Sequence, residues 1–227
     1  MTIARQVVPP RRKLRETRFW HAYHASRYTI LFYALLLTLV ITPIASTVGL
    51  PQLLIKILIG LSLCAAVMPS ATRRTALLFL SAVSLLVIIR IGSDQGYVPV
   101  KSGLAIALVG FTGIVAAAKA LEFAVTSKIV TRQTIYAALS TYLLAGLFFG
   151  QVYWAVETLW PKSLVGPDPT TEARSVYYSF VTLATLGYGD FVPRTDIVRG
   201  LAVLEVIGGQ LFLAVMVARL IGLFERD

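Results

Sequence analysis

Thr182, Thr185, Leu186, Gly187, Tyr188, Gly189 and Asp190 fall in one short run between two long apolar segments. Gly187 and Gly189 have no Cβ, so left-handed backbone angles carry no steric cost at those positions. Alternated with ordinary residues, they let successive carbonyls face one axis, and the Thr185 hydroxyl adds an oxygen at the inner end. A ring of such oxygens can replace the hydration shell of a dehydrated monovalent cation. Thr185, Leu186, Gly187, Tyr188 and Gly189 are the candidate coordinating residues. Thr182, Tyr177, Tyr178 and Asp190 are candidates for their support.

The run resembles the selectivity filter of potassium channels. Thr182, Thr185, Gly187, Tyr188, Gly189 and Asp190 match that family's T-x-x-T-x-G-Y-G-D pattern, while Leu186 stands where Val or Ile is usual. Val176 to Val181 is similar to the family's pore helix, with Tyr177 and Tyr178 where a Trp pair often stands. The likeness covers roughly residues 133 to 224 and is most specific over 177 to 190. It implies K+ held by the carbonyls of Thr185, Leu186, Gly187 and Tyr188. Tyr188 then points away from the axis and braces the filter from behind. The hydroxyls of Tyr177 and Tyr178 either reach the filter's rear or simply pack, and Asp190 draws cations at the mouth. Gly208 and Gly209 are expected either as a gating hinge, since Gly pairs are kink sites, or as a close contact with the pore helix. Glu205 is an ionisable group within a span, which is by default a functional candidate. It pairs either with Arg199 or with the rear of the pore helix.

Gly187 to Asp190 also spells the G-x-G-D of intramembrane aspartyl proteases. That chemistry needs two carboxylates sharing one site and one proton. No Tyr-Asp pair occurs in the chain, and Asp94, Asp168, Asp196 and Asp227 sit at span ends, in loops or at the terminus. No enzymatic activity is expected. The stronger rival is a weakly selective monovalent cation channel, because Leu186 alters the filter.

The elements that position this run are apolar. Of 227 residues, 57% are hydrophobic and 14% charged, with a mean hydropathy of +0.77. Apolar runs of about 18 residues or more recur, which indicates a polytopic helical membrane protein. The ten-residue alternating segments of a β-barrel are missing. Six spans are expected, near 29–46, 52–68, 75–91, 102–124, 135–154 and 201–223. Gly103, Gly110 and Gly113 suit close helix contacts in the fourth. Lys56 can snorkel from the second. The fold class is an all-α membrane protein of six transmembrane helices plus a re-entrant pore helix and filter, arranged like voltage-gated channels. The divisions are 1–28, a basic cytoplasmic segment that reads either as a short interfacial helix or as a disordered tail; 29–132, a four-helix unit; and 133–227, a pore domain. Within the last, the outer helix is 133–156, the pore helix 170–184, the filter 185–190 and the inner helix 199–223. Asp168 and Pro169 read as N-cap and first residue of the pore helix.

Cys64 is the only cysteine and reads as core, which leaves no disulfide framework. His21 and His24 read as interfacial anchors. No cofactor is expected beyond the permeant K+. The formal net charge of +10 reflects membrane topology and not nucleic acid. With the N-terminus inside, Arg5, Arg11, Arg12, Lys13, Arg15, Arg18, Arg27, Arg73, Arg74, Lys119, Lys128, Arg132, Arg219 and Arg226 lie within. Arg90, Lys101, Lys162, Arg174, Arg194 and Arg199 lie outside. This imbalance places both termini in the cytosol of a plasma-membrane protein. The basic N-terminus then faces anionic lipid headgroups. One filter per chain implies a homotetramer. The fourth span has no charge from Gly103 to Ala118, so steep voltage gating is not expected. The stretch after Leu223 is short, which leaves lipids, protons, the filter or a partner as the expected sources of gating.

Overall fold

The computed structural model describes residues 26–41, 43–44, 92, 102–127 and 129–224. The expected second and third spans lie outside these, as do His21, His24, Lys56 and Cys64. Among the described residues there are five helices and two short strands. They are α1 (Ser26–Ile41), α2 (Ser102–Thr126), α3 (Arg132–Leu159), β1 (Leu164–Val165), α4 (Glu172–Leu183), β2 (Val192–Pro193) and α5 (Asp196–Phe224). Three helices, α2, α3 and α5, are long and apolar enough to cross a membrane.

Each boundary has a chemical cause. Thr131 caps α3 in a reciprocal box: Thr134 N donates to Thr131 Oγ1 at 3.3 Å, and Thr131 N donates to Thr134 Oγ1 at 3.4 Å. The helix stops at Trp160, whose N–H closes on Val156 O at 2.7 Å, just before Pro161, a residue that cannot donate the next bond. Asp168 is not the cap of α4. Thr171 is, its extended backbone placing Oγ1 to accept from Arg174 N at 3.3 Å. Asp168 is instead held by the Arg174 guanidinium at 2.8 Å, so α4 begins at Glu172 rather than at Pro169.

Glycines set the helix spacing. On α2, a Cβ at Gly113 would fall 2.0 Å from the Phe148 ring, and one at Gly103 would fall 2.6 Å from Leu159 Cγ. These two helices therefore pack closely, as the small residues on α2 lead one to expect. On α3, a Cβ at Gly150 would meet Val176 Cα at 2.6 Å, and one at Gly146 the Phe180 ring at 2.5 Å. That crossing seats α4 directly on α3.

Two contacts define a common face. Tyr28 N donates to Gln133 Oε1 at 3.0 Å, and the Tyr28 ring stacks on Phe123 at 4.6 Å. The start of α1, the end of α2 and the start of α3 therefore meet. The Arg27 guanidinium lies 5.1 Å from both rings, a cation–π arrangement. The far end of α5 reaches the same face, where the Arg219 guanidinium donates to Ser127 O.

Candidate functional site: the loop after the short helix

With 12 residues, α4 rises about 18 Å at 1.5 Å per residue, too little for a hydrocarbon layer of about 30 Å. After α4 the chain returns to β2, which pairs with β1 just past the end of α3. Non-helical backbone at membrane depth is tolerated only where protein or water surrounds it.

The turn out of α4 is held by amides. Thr185 N donates to Thr182 O at 2.9 Å, and Leu186 N and Gly187 N share Val181 O at 2.9 and 3.4 Å. With these amides turned back toward the helix, φ is +56° at Thr185, +56° at Gly187 and +75° at Gly189. Every second residue is thus left-handed. Gly187 and Gly189 do what their lack of a Cβ permits. Thr185 was not foreseen in this conformation, because a β-branched residue at positive φ is a genuine outlier. Among the described residues, no N–H or O–H donates to the carbonyls of Thr185, Leu186, Gly187 or Tyr188.

Tyr177 and Tyr178 point different ways. Tyr177 Oη donates to Asp190 Oδ2 at 2.8 Å and ties the loop's outer end to α4. Tyr178 is buried edge-on against Tyr153 with centroids 4.9 Å apart, and its hydroxyl also meets Thr182 one turn on. Leu186 and Tyr188 rest on little in their own chain, at 55% and 66% exposed.

The outer end is also anchored by groups that sequence reading passed over. β1 and β2 pair antiparallel, Leu164 opposite Pro193 and Val165 opposite Val192. Arg194 N adds a bond to Ser163 O at 2.9 Å. The Glu157 carboxylate accepts from Lys162 N at 2.8 Å and Leu164 N at 2.9 Å. An acid ending an apolar helix just before Trp160-Pro161 was the one visible sign of this role.

α5 runs unbroken through Gly208 and Gly209. A Cβ on Gly209 would lie 2.7 Å from Leu183 Cδ1 and 3.1 Å from Leu183 O, so this glycine serves close packing on the end of α4. Gly208 has open space around it and borders a cavity of about 300 Å³ between α2, α3 and α5. Glu205 does not pair with Arg199, which engages Asp196 and Pro193 O, both at 3.3 Å. It faces Ser179 on α4 and Tyr153 on α3.

Residues 124–226 match the model of the family described as "Ion channel". A curated relative, the "Putative potassium channel protein YugO" of Bacillus subtilis (strain 168), is 31% identical over 74 residues. That alignment covers 33% of this chain and 20% of the relative, so the chain spans about a fifth of that protein's length. No solved structure matches. The channel-domain match takes in α3, α4, the loop and α5. Both matches are to channels and not to enzymes. Residues 124–226 are thus similar to an ion-channel domain, and the three apolar helices fit a helical membrane protein. Asp190 has Tyr177 as its partner.

Proposed function

We propose that the protein is a potassium-selective channel subunit, conducting K+ passively through a filter built by four copies in the plasma membrane. The observation that carries this reading is the alternation of left-handed residues at 185, 187 and 189 beside four carbonyls with no donor among the described residues. Four such strands around an axis supply the oxygen cage that a bare K+ requires. The carbonyl end of α4 points to the same depth, where its partial negative charge of about −0.5 favours a cation. Thr182 closes the turn behind the cage, and Tyr177 with Asp190 steadies its mouth.

The exposed residues support the tetramer. Val203, Ile207, Leu211, Val215 and Val217 stand open on α5, as do Leu186 and Tyr188. A neighbouring copy is the simplest cover for them. The two contacts at the common face support six spans and co-facing ends. The start of α1 and the end of α2 share a face, which is compatible with the two further spans expected between them. Arg27, Arg132 and Arg219 on that face favour the cytosol. Gating is not by a charged fourth helix, and Gly208 is the proposed bend.

The test is reconstitution of the purified chain alone in liposomes. A reversal potential that follows the K+ gradient in mixed K+ and Na+ supports the reading. One midway between the two ions favours the weakly selective channel, and no flux at all sinks both.

A further inference from the structure

Glu205 is 1% exposed and sits on α5 one turn before Gly208. Its Oε2 accepts from Tyr153 Oη on α3 at 2.7 Å. Its Oε1 contacts Ser179 Oγ on α4. Ser179 Oγ also lies 2.7 Å from the carbonyl of Gly146. A carbonyl can only accept, and a serine hydroxyl has one hydrogen. If that hydrogen goes to Gly146 O, the one between Ser179 and Glu205 belongs to the carboxyl.

The charged alternative is costly. A carboxylate buried away from any cation loses its solvation, and such a group takes up a proton instead. The titratable groups facing Glu205 are Tyr142 and Tyr153 on α3 and Tyr178 on α4. On its own helix, Arg199 is engaged elsewhere. None of the described cations is paired with it. A neutral acid, donating to Ser179 and accepting from Tyr153, satisfies every group present.

We propose that Glu205 is a positioning residue that carries its own proton and pins the upper half of α5 to α3 and to the rear of α4. The pin lies between the loop's helix and the open space at Gly208. A bend at Gly208 then moves the lower half of α5 while the upper half, α4 and the carbonyl cage stay in place. This rests on the channel reading for its consequence in conduction. The proton itself does not.

The test has two arms. Glu205→Gln keeps one acceptor and one donor at the same reach, whereas Glu205→Asp keeps the ionisable group but shortens it. Glu205→Leu keeps the bulk alone. In liposomes, Glu205→Gln should hold the wild-type reversal potential in mixed K+ and Na+. Glu205→Asp and Glu205→Leu should shift it toward that of sodium. The second arm is the infrared difference between wild type and Glu205→Gln at neutral pH, where the protonated carboxyl band should vanish in the variant. The proposal is overturned if that band is missing from the wild type, or if Glu205→Asp conducts normally while Glu205→Gln does not. A wild-type chain that passes no K+ sinks the channel reading, and the infrared arm still decides the proton.

Discussion

Thr185 holds φ +56°, a conformation that costs an L-residue about 1–2 kcal/mol. Thr185→Gly should therefore raise the melting temperature of the protein in Na+. The same change removes the innermost hydroxyl of the cage. If the loop binds K+ as proposed, the folded state is stabilised more by K+ than by Na+, and that difference should shrink. Thermal unfolding of both forms in each salt checks the two effects together. At the mouth, Tyr177→Phe deletes the hydroxyl that reaches Asp190. The bond is exposed, so the loss in stability should be small. Single-channel records should nonetheless show more frequent closures as the loop's outer end loses its tie. The glycines and the Thr–Asp frame of this loop could be read from residue types alone. The strained threonine could not, because nothing about threonine favours that angle. Nor could the partner of Glu205, since Ser179 and Tyr153 meet it only once three helices are packed.

Among elements, the crossing of α3 and α4 tolerates least. At Gly150 the obstacle to a Cβ is the Val176 backbone, 2.6 Å away at Cα and 3.0 Å at N. A backbone has no rotamer to give. Gly150→Ala should thus force the helices apart, costing about 1–3 kcal/mol, and lower both melting temperature and flux. Gly208→Ala is the contrasting case. It meets open space and favours straight helix by about 1 kcal/mol. It should leave stability intact while reducing open probability in bilayer recordings. An unchanged open probability would count against Gly208 as the bend. The apolar runs announced α2, α3 and α5 because crossing a membrane demands length and little else. The start of α4 misled because Asp168-Pro169 has the chemistry of a cap, and only the folded loop shows Asp168 taken by Arg174. Gly146 and Gly150 were not singled out in the sequence, since a lone glycine does not reveal which helix lies over it.

For the whole molecule, voltage is the discriminating variable. The middle of α2 carries no charge, and Lys119 near its end pairs in the open with Glu122 at 2.8 Å. Each charge carried across the field contributes about 2.3 kcal/mol per 100 mV, so open probability should depend only weakly on voltage. A steep dependence abolished by Lys119→Gln would overturn this. The assembled particle should show fourfold symmetry, and Tyr188→Ala should weaken it, read as dissociation in detergent by light scattering.

Among the described residues no donor reaches the carbonyls at 185–188, and Leu186 and Tyr188 are more than half exposed. A newly inserted, solitary copy would hold those groups against lipid, where each unmatched backbone dipole costs several kcal/mol. If four copies close around this loop as proposed, it takes its shape only on assembly, and its maturation is a quaternary event. Biogenesis should yield lone subunits that are helical yet blind to K+, acquiring ion-dependent rigidity only at the moment of oligomer closure.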